Sequence, residues 1–128
     1  MDPVLFHNNE EGRKAFVDLA SRAVLWIADY YRNVENYPVR SQVLPGDIYK
    51  QFPDQFPAQP VTDDEVFRIL QEVIMPGMTH WQHPGFYAFF PGNTSFPSIA
   101  AEMITAGMSA QCMLWESSPA AAELEQRC

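Results

Sequence analysis

Residues 75–107 read MPGMTHWQHPGFYAFFPGNTSFPSIAAEMITAG, and the fold turns on how this stretch is divided. Its middle part, residues 79–97, carries Trp81, Phe86, Tyr87, Phe89, Phe90 and Phe96 beside His80 and His83. Pro84, Gly85, Pro91, Gly92 and Pro97 break it too often for one long helix. The alternation in Phe86–Phe90 allows a short strand or an extended wall. Large rings on a proline-fixed backbone suit a binding-pocket wall, because they bring much apolar area at little conformational cost. They equally suit plain core filling beneath a loop. After this segment the pattern turns helical. Thr94 or Ser95 can cap, Pro97 falls in the first turn where its missing N–H costs nothing, and a helix is predicted from Phe96 to Met108. Ile99, Ala100, Met103, Ile104 and Gly107 are its candidate buried positions.

Upstream, Pro76-Gly77 closes a helix predicted from Asp63 to about Met75. Thr62 and Glu65 have the spacing of a capping box, and the acidic run Asp63-Asp64-Glu65 sits at the positive end of the helix dipole. Val66, Ile69, Leu70, Val73 and Ile74 form its apolar face. Residues 33–60 are proline-rich: Leu44-Pro45-Gly46-Asp47 reads as a turn, and Asp47 to Phe52 allows one or two helical turns. Leu44, Ile48, Tyr49, Phe52 and Phe56 are apolar anchors on this linker. A long helix is predicted from Glu10 to Val34, with Asn8 as cap and Glu11 completing the box. Phe16, Leu19, Ala20, Ala23, Ile27, Tyr30, Tyr31 and Val34 recur at helical spacing, and Val24, Leu25 and Trp26 widen the face. Such a face needs cover on more than one side, by a bundle core or by a second chain.

Downstream, Cys112–Trp115 is a short apolar run. Ser117-Ser118-Pro119 then opens a helix of strong formers, Ala120 to Glu125, with no Gly, Asn or Pro stop before Cys128. The expectation is a chain that ceases inside an element.

Composition sets outer bounds. The chain has 128 residues, 47% of them hydrophobic, so a folded protein of about one domain's length is expected. A net charge of −8 disfavours nucleic-acid and anionic-membrane partners. No apolar run is long enough to span a bilayer, and Met1-Asp2-Pro3 begins no secretory signal pattern. Two cysteines, Cys112 and Cys128, then point to free thiols in a reducing compartment. Eleven prolines against six glycines mark a chain broken often and laid across distance. Phosphate-binding glycine loops, a nucleophile elbow and a metalloprotease motif are missing. His80 and His83 stand three apart, but Pro84 opposes a helix there, so hydrogen-bonding histidines are expected and no metal site. The two lysines, Lys14 and Lys50, lie on the first helix and in the linker, outside any apolar pocket that would suit Schiff-base chemistry.

Residues 75–107, together with WESSPAAAELE at 115–125, resemble the N-terminal part of the pyridoxal-phosphate-dependent group II decarboxylases, closest to the aromatic-L-amino-acid decarboxylase branch. Residues 24–53, VLWIADYYRNVENYPVRSQVLPGDIYKQFP, are similar to that family's opening helix and linker. The resemblance runs from about Arg13 to Arg127.

The resemblance implies a mainly α fragment of an α/β enzyme: an N-terminal helical arm followed by the first elements of the type I pyridoxal-phosphate-dependent transferase fold. Residues 1–95 would be a dimerisation segment with linker and aromatic wall, and 96–128 the start of the large cofactor-binding domain. It implies a cytoplasmic homodimer whose arm packs on the partner, with an active site at the subunit interface. Phe89 and Phe90 would line the substrate pocket, followed by Gly92, where the aromatic branch often has a hydroxyl residue. Gln111 and Met113 would reach toward the partner's site, Gln111 replacing a bulky apolar group. The implied chemistry is decarboxylation of an aromatic L-amino acid, with pyridoxal phosphate held on a lysine and acting as electron sink; some relatives catalyse oxidative deamination instead. Catalytic and cofactor-holding residues are expected outside these 128 residues. The absence of a cation between Thr79 and Ser118 disfavours a glutamate substrate. The alternative is a self-standing helical dimerisation or interaction module without catalysis.

Overall fold

The computed structural model describes residues 8–55, 57–90, 92 and 94–128. These divide into two compact units, Met1–Pro91 and Gly92–Cys128. Among the described residues the regular structure is helical throughout, without a strand, so the mainly α expectation holds for this chain. The run Phe86–Phe90 takes the extended, bent alternative.

In the first unit, α1 spans Glu10–Asn33. Its cap is Asn9, whose side chain accepts from the Gly12 N–H, one residue later than expected. Asn8 instead offers its side-chain oxygen to the Arg13 guanidinium at 3.3 Å. Both asparagines have cap chemistry, and the first turn settled on the one whose oxygen reaches an orphan N–H. A single turn of 3-10 helix, Val34–Asn36, follows α1, and Tyr37-Pro38 leaves it extended. Leu44–Asp47 forms the expected turn. Asp47 N–H donates to the Leu44 carbonyl, the Asp47 carboxylate accepts from the Leu44 N–H, and Gly46 takes φ +91°, a conformation that side chains disfavour. Of the expected linker anchors, Leu44 and Tyr49 are exposed, whereas Ile48 packs so close to Gly77 that a Cβ there would lie 2.9 Å from it. Phe56 lies outside the described residues.

The second helix, α2, is regular over Asp63–Ile69 only. It widens into a π-turn over Leu70–Ile74 and tightens into a 3-10 turn over Met75–Gly77. Pro76 explains the change from the regular helix expected to Met75: it has no N–H for the Glu72 carbonyl, and its ring crowds that carbonyl. Thr62 accepts from the Glu65 N–H as a cap should. The Glu65 carboxylate, however, turns to Arg68 at 2.7 and 2.8 Å, since a guanidinium is the stronger partner. Arg22 ties α1 to α2, with its guanidinium carbon 4.5 Å from the Phe67 ring centroid and a nitrogen 2.9 Å from Asp64.

The buried core of this unit is thin: among the described residues it consists of Val34, Met75 and the imidazole of His80, with Gly12 under the first turn. Phe16, Val17, Val24 and Leu25 on α1 stay exposed. The widened face read from the sequence is therefore uncovered within its own unit.

In the second unit, α3 spans Phe96–Gly107, with Ser95 as cap and a reciprocal box to Ser98. Its expected buried positions are not buried. Met103 and Ile104 are exposed, and Ile99 is only half-covered, because nothing in this unit packs over that face. Residues 112–115 form turns, and α4 spans Pro119–Glu125, closed by a turn at Gln126 and Arg127. The Trp115 indole N–H donates to the Glu123 carboxylate at 3.1 Å.

Candidate functional site

The segment Thr79–Phe90 is built by a ladder of short-range bonds. The His83 N–H donates to the His80 carbonyl at 3.0 Å and the Phe86 N–H to the His83 carbonyl at 2.9 Å. His83 Nδ1 accepts from the Gly85 N–H at 2.8 Å. A side chain at Gly85 would meet the His83 ring at 3.1 Å, so glycine suits this tight stretch. The segment is moored to the rest of its unit at one end, where the His80 N–H donates to the Val39 carbonyl at 3.0 Å. The Ser41 hydroxyl fixes the preceding turn through the Pro76 carbonyl at 3.1 Å.

His80 is the centre of that mooring. Its ring lies 4.7 Å from the Tyr37 ring, nearly parallel, and its Nδ1 is 3.0 Å from the Tyr30 hydroxyl. Tyr30 in turn stacks on Trp26 at 5.8 Å and meets Tyr31 edge-on. Burial, reinforced by the neighbouring His83, pushes the His80 pKa down. Burial and the nearby Tyr31 and Tyr37 push the Tyr30 hydroxyl up, so both groups are neutral at pH 7. The expectation of hydrogen-bonding histidines is met at both positions.

Beyond the mooring the rings face outward. Trp81 backs Phe86 at 4.8 Å and Phe89 at 5.9 Å. Phe89 has φ +57°, a left-handed conformation that is unusual for a bulky side chain and is associated with functional segments. Phe89 is 83% exposed and Phe90 96%. The arrangement offers flat apolar surface and no charge, which is what an aromatic side chain would require of one wall.

The remaining expected site residues belong to the second unit. Gly92 is exposed and adopts no positive φ, and a Cβ added there would meet nothing within 4 Å. The backbone therefore does not require glycine at this position. Gln111 accepts the Ser117 hydroxyl at its carbonyl, at 2.7 Å, leaving its side chain at the surface. Met113 is 86% exposed. Within their units Phe89 and Phe90 adjoin one another, and Gln111 directly precedes the turn that holds Met113.

The sequence places Trp81 in the aromatic stretch and Tyr30 on the apolar face of α1, but it does not foretell that Tyr30, Tyr37 and His80 form one cluster. Tyr30 and His80 stand 50 positions apart, and no local pattern marks their pairing. A separate apolar groove of about 670 Å³ runs between the linker and α2, lined by Phe52, Pro53, Pro57, Val61, Ile69 and Val73. Its one cation, Arg68, is already held by Glu65 and Glu72, so it has no charge to offer a ligand.

Neither lysine fits a covalently held aldehyde cofactor. Lys14 on α1 and Lys50 in the linker are both exposed, and a reactive amine needs desolvation to lose its proton near neutral pH.

The family model described as the pyridoxal-dependent decarboxylase conserved domain matches residues 45–128. The chain belongs to this decarboxylase family. It is 46% identical over 116 residues to an aromatic-L-amino-acid decarboxylase of Catharanthus roseus, covering 91% of this chain and 22% of that protein. It is also 46% identical over 100 residues to a phenylacetaldehyde synthase of Arabidopsis thaliana, covering 78% of this chain and 20% of the relative. Among solved structures, Catharanthus roseus tryptophan decarboxylase in complex with L-tryptophan is similar, with a TM-score of 0.82 and 43% identity over 94% of this chain and 25% of that one. The chain thus spans about a fifth to a quarter of the length of the relatives it matches.

Proposed function

We propose that this chain is the N-terminal segment of a pyridoxal-phosphate-dependent decarboxylase acting on aromatic L-amino acids. It supplies dimer contacts and one wall of the substrate pocket. The observation that carries the reading is the bare ring surface of Phe89 and Phe90, presented by a family segment whose relatives are named for aromatic amino acids or their products. Phe89 and Phe90 take the substrate's ring, Gly92 is the substrate-site position where the aromatic branch often has a hydroxyl residue, and Gln111 and Met113 contribute to the site of a partner subunit. Residues 1–95 form the dimerisation segment and 96–128 open the large domain of a type I transferase fold. The exposed apolar face of α1 supports a homodimer in which the arms cover one another. The two free cysteines, Cys112 and Cys128, support a cytoplasmic setting; among the described residues no helix is long and apolar enough to cross a membrane.

The division of labour is physical. Pyridoxal phosphate supplies the electron sink when bound. This segment's own part is to orient an aromatic side chain and to exclude water from around it. Selectivity for rings follows from stacking, and the missing hydroxyl at Gly92 withholds one hydrogen bond from a ring hydroxyl.

Because the residues that hold the cofactor are assigned to the rest of the protein, the chain alone should not bind it. Titrating the 128-residue chain with pyridoxal phosphate is expected to give only weak, non-saturating absorbance changes from surface amines. A stoichiometric band removed by Lys14→Ala or Lys50→Ala would contradict this assignment.

A further inference from the structure

The mooring and the aromatic wall share one short segment, and His80 is the only side chain of that segment that is fully enclosed. Its Nδ1 has the Tyr30 hydroxyl as partner; its Nε2 is buried and has none. In either neutral tautomer one unpaired nitrogen is tolerated. Protonation would place an N–H on both nitrogens, one of them aimed at no acceptor, and would put a charge between two rings.

We propose that His80 is a positioning residue for the aromatic wall: as the neutral ring it clamps the Trp81–Phe90 segment to α1 and the Tyr37 segment, and its protonation releases that clamp. Three titratable groups face it: Tyr30 from α1, Tyr37 from the segment after it, and His83 from its own turn, with Tyr31 edge-on behind Tyr30. None of these offers a carboxylate to pair with an imidazolium, and His83 opposes one. The depressed pKa agrees with this geometry.

The sign of the pH effect follows. The unfolded or released segment has an ordinary histidine, near 6.5, and the clamped one a lower pKa. Above 6.5 both forms are neutral and the clamp is at full strength. As pH falls from there toward the clamped pKa, the released form takes up the proton first and the clamp weakens.

Tryptophan residues report this directly. Trp26 stacks on Tyr30, and Trp81 follows His80 in the chain, whereas Trp115 belongs to the second unit. With 5-fluorotryptophan incorporated into the full 128-residue chain, 19F NMR between pH 8 and 5 should show the Trp26 and Trp81 resonances moving with one shared midpoint below 6.5. Trp115 should not follow that midpoint. His80→Asn keeps an acceptor for the Tyr30 hydroxyl but cannot titrate, and should remove the step while leaving both resonances at their neutral-pH positions. A step that survives in His80→Asn, or Trp26 and Trp81 moving with different midpoints, overturns the proposal. Should His80→Asn fail to fold, Tyr30→Phe retains the imidazole and removes its partner. A shifted midpoint supports the clamp, and an unchanged one overturns it. What the clamp does for substrate recognition rests on the function proposed above. The 19F measurement needs no substrate, so failure of the clamp and failure of that function are distinguishable.

Discussion

Met75→Ala is expected to unfold most of the N-terminal unit at 25 °C. Met75 is 5% exposed and Val34 6%, and they are the only apolar side chains in the buried core of the described residues. Truncating a buried methionine to alanine costs about 2–5 kcal/mol. Small domains begin with about 5–15 kcal/mol, and a thin core puts this unit at the lower end. The position compounds the loss, because Met75 closes the π-turn of α2 and begins the 3-10 turn that leads to His80. Urea denaturation followed by circular dichroism should show the midpoint collapsing toward zero. Leu25→Ala is the control: at 70% exposure in the single chain, its loss should change the stability of the dilute, monomeric protein by no more than about 0.5 kcal/mol. A larger loss at Leu25 that grows with protein concentration would mark cover of the α1 face by a second copy, as the proposed homodimer requires.

The second large effect is on substrate selection. Replacing the matching segment of the Catharanthus roseus aromatic-L-amino-acid decarboxylase with this chain gives a chimera in which the wall acts in a complete enzyme. In that chimera Phe90→Ala should lower kcat/KM for tryptophan by about tenfold to a hundredfold. The ring is 96% exposed in the present chain, so it is available for a substrate to cover. Covering a phenylalanine side chain is worth about 1.5–3 kcal/mol, and 1.4 kcal/mol is a factor of ten. The loss should fall mainly on KM, since stacking holds substrate and transition state alike. Phe90→Leu should recover part of it through apolar area without the flat face. An unchanged kcat/KM for Phe90→Ala would remove Phe90 from the pocket.

Much of this was readable from the sequence where the signal is local. The helical spacing of Phe16 to Val34 gave α1, and Thr62, Ser95 and Pro97 marked where α2 and α3 begin. Local chemistry was less decisive where two residues compete: Asn9 rather than Asn8 caps α1, and Arg68 draws Glu65 away from its box. The π-turn ahead of Pro76 was not foreseen because a proline announces a break without stating how the preceding turn adjusts. Burial along α3 was misjudged for a different reason. Periodicity identifies an apolar face but not what covers it, and Met103 and Ile104 have no cover within their unit. The aromatic wall was visible as composition. Its construction was not: the Tyr30–His80–Tyr37 cluster joins residues far apart in sequence, and nothing about a phenylalanine foretells the left-handed backbone at Phe89.

The central claim is that this segment can serve as the N-terminal part of an aromatic-amino-acid decarboxylase. The most direct measurement is turnover by the chimera, with carbon dioxide and amine product quantified for tryptophan, tyrosine, phenylalanine and glutamate. The account predicts a cofactor-loaded enzyme that releases carbon dioxide from at least one aromatic substrate and leaves glutamate untouched. A chimera that folds, binds pyridoxal phosphate and releases no carbon dioxide from any aromatic amino acid, or that prefers glutamate, would contradict it.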